Sequence, residues 1–202
     1  MATGPRYKVP FRRRRESKTD YHARRRMVRS GRPRLVVRIT STRIIIQFVE
    51  ALPKGDRNIV TADSRQLKAF GWRGGVKNTP AAYLTGFLAG QLALKAGTDT
   101  AIADIGLIAP IPGSRSFSAI KGAIDAGISV PCSEKMYPKT KRIRGEHIAT
   151  FAKELMDNQP SSFKRQYGTL SKSRVDLTKL PEMYEATKKN IEAKFKSGRA
   201  SA

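Results

Sequence analysis

Apolar and polar residues change their spacing several times along this chain, and each change marks an element. The clearest is a pair of β-branched runs, Leu35-Val36-Val37-Arg38-Ile39 and Ile44-Ile45-Ile46-Gln47-Phe48-Val49, divided by Thr40-Ser41-Thr42. Such runs favour pleated strands, and the short polar break predicts an antiparallel hairpin. Side chains alternate at period two, so Leu35, Val37 and Ile39 share a core face with Ile44, Ile46 and Phe48. The opposite face carries Arg34, Arg38, Arg43 and Gln47, with Val36, Ile45 and Val49 between them. That surface is either an RNA platform or the wet side of an ordinary half-exposed hairpin.

Further along, Gly55-Asp56 signals a turn, and residues 57–63 read as a third strand leading into a loop near residues 68–75. Thr79 is placed to cap a helix with Pro80 in its first turn. Leu84, Phe87, Leu88, Gln91 and Leu92 form its inner stripe, and Gly97 ends it. Residues 100–108 are almost continuously apolar, interrupted by Asp104 and Gly106, and predict a buried strand. A helix then begins at Ser114 or Ser116, turns Phe117, Ile120 and Ile124 inward and stops at Gly127; residues 128–131 suit a short strand. Ile148, Phe151, Ala152 and Leu155 align on another helix over residues 147–156. Past Asn158 the period is lost until a last helix near residues 181–196, with the narrow stripe Tyr184, Thr187, Ile191 and Phe195.

Strand and helix alternate after an initial hairpin, so the expected fold class is α/β: a mixed-sheet sandwich with an N-terminal β-hairpin. A basic extended N-terminal arm with a short helix (residues 1–30) precedes the body (31–158), and a C-terminal helical extension (159–202) follows it.

Charge changes the picture from a fold to a partner. The 202 residues include 40 Lys and Arg against 16 Asp and Glu, a formal net charge of +24. The first 34 residues hold 13 of the bases and 2 of the acids, and residues 135–174 hold 10 and 3. Residues 35–134, with 11 and 7, are close to an ordinary domain. Self-repulsion of this size is tolerated when a polyanion neutralises it, which points to nucleic acid before an anionic membrane. No stretch approaches the roughly 20 apolar residues of a membrane-spanning helix. A single cysteine, Cys132, allows no internal disulfide and fits a reducing cytoplasm.

Within the arm, Lys18 and the run Arg12 to Arg15 have too few apolar neighbours to order themselves. Thr19 or Asp20 can cap a short helix ending near Gly31 that carries Tyr21, Arg24, Arg25, Arg26 and Arg29. Its density of bases favours phosphate contact over a merely solvated face. Tyr21 and Trp72 lie beside basic residues, Trp72 next to Arg73, and rings in such company can stack on exposed bases. The other reading is that they cover apolar patches.

Catalytic chemistry finds no foothold. The segment Gly71-Trp72-Arg73-Gly74-Gly75-Val76-Lys77-Asn78-Thr79 precedes a helix but fails the G-x-x-x-x-G-K-[ST] spacing of a phosphate loop. His22 and His147 are far apart, and with one cysteine they supply neither a zinc site nor a nucleophile–base pair. Asp104 and Asp125 could in principle form a carboxylate pair, though nothing in their spacing requires it. An enzyme with basic tails and a basic protein adaptor are the rival classes. Neither a metal nor a cofactor is expected.

Several ordered motifs then carry a resemblance. Tyr21-x-x-Arg24-x-x-Met27-Val28-Arg29-Ser30-Gly31 followed by Arg34-Leu35-Val36-Val37-Arg38 resembles the start of the universal L-eighteen family of large-subunit ribosomal proteins. Asn78-Thr79-Pro80-Ala81-Ala82-Tyr83-Leu84-Thr85-Gly86, Asp104-Ile105-Gly106-Leu107 and Ala119-Ile120-Lys121-Gly122-Ala123-Ile124-Asp125-Ala126-Gly127 follow in family order. The arm and Arg142-Ile143-Arg144-Gly145-Glu146-His147-Ile148 look archaeal, with a eukaryotic relative. The resemblance implies a structural, non-catalytic protein of the cytoplasmic large ribosomal subunit that binds 5S rRNA in the central protuberance. It also implies contact with large-subunit (23S-type) rRNA and with neighbouring proteins such as the universal L-five family, and no self-association. Carried over by residue, it places RNA contacts on Arg12 to Arg15, on Tyr21 to Arg29, and on Arg34, Arg38, Arg43 and Gln47. Thr40-Ser41-Thr42 departs from the Ser-Asn that many members carry there.

Overall fold

A computed structural model describes residues 4–172 and 175–197. The arm contains two short helices, Arg12–Arg15 (α1) and Tyr21–Arg29 (α2). Arg34–Ile39 (β1) and Ile44–Leu52 (β2) then pair antiparallel, with Arg34 opposite Val49 and Ile39 opposite Ile44. Gly55–Asp63 (β3) continues the antiparallel run from β2, and Ile102–Asp104 (β4) adds to β1 in parallel. The resulting order β3-β2-β1-β4 makes the sheet mixed, as the alternating pattern predicts.

The hairpin's core face falls where period two puts it, although Arg34, Val36 and Val49 on the other face are also buried. Leu35, Val37, Ile44, Ile46 and Phe48 are fully buried. Each such side chain contributes about 1.5–3 kcal/mol through burial. Covering that face is Thr79–Lys95 (α3), which is buried almost all the way round from Thr79 to Gly90 rather than along one stripe. Its cap is Asn78, not Thr79: the Asn78 side chain accepts from the Ala81 N–H at 2.9 Å. Pro80 suits the first turn because that turn has no intrahelical acceptor for its N–H.

Arg115–Asp125 (α4) lies so close to α3 that only glycine fits at two contacts. A Cβ on Gly86 would overlap the Ala119 carbonyl, and one on Gly122 would overlap the Tyr83 carbonyl. Helices Thr140–Arg144 (α5), Glu146–Asn158 (α6), Pro160–Lys172 (α7) and Leu180–Ser197 (α8) complete the described chain. Leu180, Tyr184 and Ile191 of α8 enter the same core as the sheet, so the last helix is docked on the body.

The sequence misplaces three elements. The strand expected over residues 100–108 stops at Asp104, because Gly106 adopts φ +71° and its N–H turns back to the Asp104 carboxylate at 2.9 Å. Leu107, Ile108 and Ile111 are consequently exposed. The strand expected at 128–131 is reduced to a single bridge between Thr100 and Ser129. A 3-10 helix (Ser64–Phe70) forms behind a capping box of Asp63 and Gln66 and runs into the start of the loop expected near residues 68–75. Helix α7, in the segment whose period is lost, is an addition. No helix among the described residues is long and apolar enough to cross a membrane.

Candidate nucleic-acid interface

The arm returns to the polar face of the sheet, and a chain of ion pairs holds it there. Asp20 caps α2 by accepting from the His22 and Ala23 N–H groups at 2.8 and 3.2 Å. The bond from Ala23 is the main reason its carboxyl is held below the ordinary range. One turn on, Arg24 donates to Asp56 at 2.7 Å, and Arg34 donates to the other oxygen of Asp56 at 2.7 Å. Arg34 also reaches Asp104 at 3.0 Å, and Asp104 in turn accepts from Arg38 at 2.8 Å. The ladder Arg24–Asp56–Arg34–Asp104–Arg38 thus runs from the arm across three strands. Burial raises the Asp56 carboxyl, but the hydrogen bonds from Arg24 and Arg34 outweigh it and leave it below the ordinary range. Arg43 is tied separately to Asp63 at 2.9 Å, and Gln47 donates to Thr61 at 3.2 Å.

This arrangement sorts the sixteen residues predicted to meet RNA. Arg12, Arg14, Arg15, Arg25, Arg26 and Arg29 are exposed, and the only ion pair any of them makes among the described residues is a loose 3.8 Å contact from Arg12 to Glu16. Arg13 donates to Thr19 at 2.8 Å and Lys18 pairs with Glu16 at 2.8 Å, both at the surface. Tyr21 is half-buried and tilts against Phe11, with ring centroids 5.1 Å apart. Phe11 is itself 71% exposed. An aromatic pair therefore sits among the arginines, and Phe11 is the member the sequence did not single out.

Two predicted contacts need correcting. Arg34 is only 4% exposed: the periodicity assigns it to the polar face correctly, but Asp56 and Asp104 enclose it there. Trp72 is fully buried, with its indole N–H donating to the Gly75 carbonyl at 3.2 Å, so its ring offers no face for stacking. Close packing of Gly74 against that ring explains a glycine in the loop. Arg73 is exposed, but it borders a cleft shared with Asp176 and Glu182 rather than the arm. Asp104 and Asp125 do not meet, since Asp125 accepts from the Tyr83 hydroxyl at 2.7 Å and pairs with Lys121. No group of three or more His, Cys, Asp or Glu among the described residues is arranged to hold a metal.

Arg14, Arg15, Arg25, Arg26 and Arg29 thus face outward with no ion pair among the described residues, on an arm tied to the sheet through Arg24 and Asp56. Residues 5–99 match the model of a family described as ribosomal large subunit proteins 60S L5 and 50S L18, a structural, non-enzymatic family. The relatives narrow this. Large ribosomal subunit protein uL18 of Staphylothermus marinus is 51% identical over 197 residues, 97% of this chain and 98% of that protein. The uL18 proteins of Methanothermobacter thermautotrophicus and Thermofilum pendens are 50% and 48% identical, each over 192 residues, 95% of this chain and 98% of theirs. The chain belongs to the uL18 family of the large ribosomal subunit.

Proposed function

We propose that this uL18-family protein holds 5S rRNA in the central protuberance and links it to 23S-type rRNA and to neighbouring proteins such as the universal L-five family. The observation that carries this reading is the division of labour among the arginines. Arg24, Arg34 and Arg38 are engaged with Asp56 and Asp104, while Arg12, Arg14, Arg15, Arg25, Arg26 and Arg29 face outward. The first set fixes the arm, and the second set replaces counterions along RNA phosphates. Arginine suits this work because its planar fork can engage phosphate or a base edge. A pre-positioned arm also lowers the ordering cost that a disordered basic tail meets on binding.

The test is binding of the full chain to 5S rRNA with transfer RNA as competitor, over a series of salt concentrations. Selective binding to 5S rRNA that persists at physiological salt is the expected result. Equal displacement by transfer RNA at every salt concentration would mean that charge alone is recognised, and the 5S-specific reading would be lost.

A further inference from the structure

Away from the arm, a second basic concavity has no counterpart in the sequence reading. A cavity of about 850 Å³ opens between the loop after β4, the 3-10 turn Glu134–Met136, α5 and the start of α6. A hydrogen bond from the Gly113 N–H to the Met136 carbonyl at 2.9 Å ties the loop to the turn. Its lining combines the apolar Ile111, Pro112 and Tyr137 with the cations Lys139, Lys141 and Arg142. Those three cations are exposed and make no ion pair among the described residues. Glu146 is the one carboxylate in the lining. None of the lining residues belongs to the clefts beneath the arm.

Shape and chemistry select among polyanions. A double helix presents phosphates on a convex surface and keeps its bases stacked inside, so it cannot use the apolar part of this lining. An unpaired nucleotide offers both a flat apolar base and an attached phosphate. The aromatic ring of the lining is braced: the Tyr137 hydroxyl donates to the Cys132 carbonyl at 3.3 Å, and Lys121, which is outside the lining, lies 5.3 Å from the ring centroid. The volume falls within the range of a pocket for a single small ligand. We propose that this cavity receives one unpaired nucleotide of ribosomal RNA, its base on Ile111, Pro112 and Tyr137 and its phosphate on Lys139, Lys141 and Arg142. The proposal rests on the RNA-binding reading above but not on the identity of the RNA held by the arm.

The test uses ultraviolet crosslinking of the full chain to a short single-stranded oligonucleotide of 4-thiouridine, with attachment sites mapped by mass spectrometry. A crosslink on the segment containing Tyr137 is expected. It should fall about tenfold in the double variant Lys141→Gln/Arg142→Gln, whose altered side chains are exposed. It should persist in a variant with Arg12 to Arg15 changed to Gln, and uridine monophosphate should compete better than inorganic phosphate. Crosslinks confined to the arm, or a Tyr137 crosslink unchanged in the double variant, would overturn the proposal. Equal competition by inorganic phosphate would reduce the site to an anion site and remove the base from it. Loss of selective 5S rRNA binding with the Tyr137 crosslink intact would defeat the 5S reading and leave the cavity assignment standing.

Discussion

Asp104 shows how much a single buried carboxylate can organise. It is 5% exposed, it accepts from Arg34, from Arg38 and from the Gly106 N–H, and it lies at the end of β4 where the chain must turn. Removing one member of a buried ion pair leaves its partner charged and unsolvated, which costs about 3–5 kcal/mol. Asp104→Asn is therefore expected to lower the unfolding free energy by about 3 kcal/mol, read from the midpoint of a urea transition. A midpoint unchanged from the parent would mean that Asp56 alone neutralises Arg34. The same residue marks a limit of sequence reading. Period two puts Arg34 and Arg38 on the polar face, yet it cannot say which polar residue will be roofed over. That is decided by Asp56 and Asp104, which lie 22 and 70 positions away from Arg34 along the chain. Trp72 fails for a related reason. Basic neighbours in sequence are consistent with an exposed ring, but the glycines around it let the loop fold the ring inward.

Among the elements, α3 and α4 form the closest contact, and that contact depends on the absence of side chains. Gly86→Ala forces a methyl group into the Ala119 carbonyl, and neither helix can withdraw without opening the core around Leu84 and Ile120. We expect a loss of about 3 kcal/mol or more, visible as a lowered thermal midpoint. Gly168→Ala, with nothing within 4 Å of the added carbon, serves as the control and should leave the midpoint near that of the parent. Although its cap is Asn78 rather than the expected Thr79, the existence of the long helix was legible from Pro80 and its apolar residues. Its all-round burial was not, because Gly, Ala and Thr on the remaining faces read as polar or neutral until a second helix covers them. Strand β4 was overextended for the converse reason: Leu107, Ile108 and Ile111 are apolar but exposed, so hydrophobicity alone misjudged them. The hairpin's core face, where alternation and β-branching agree, was legible at Leu35, Val37, Ile44, Ile46 and Phe48, whereas Arg34, Val36 and Val49 on the other face are buried as well.

At the scale of the whole molecule, the net charge of +24 includes cations engaged in ion pairs and cations of the arm that face outward. The two groups should separate in the salt dependence of RNA binding, because each phosphate contact contributes roughly 0.7–0.9 to the slope of log affinity against log salt. Changing Arg25, Arg26 and Arg29 together to Gln removes three exposed charges from α2 and touches none of the ion pairs that seat the arm. The slope for 5S rRNA is expected to fall by roughly 2 in that variant, with thermal stability close to that of the parent. Arg43→Gln removes a charge already engaged by Asp63, so it should leave the slope nearly unchanged. If Arg43→Gln flattened the slope as much as the triple variant does, the sheet rather than the arm would be the surface that meets phosphate. The arm's ion pairs would then serve only to cover an edge of the sheet.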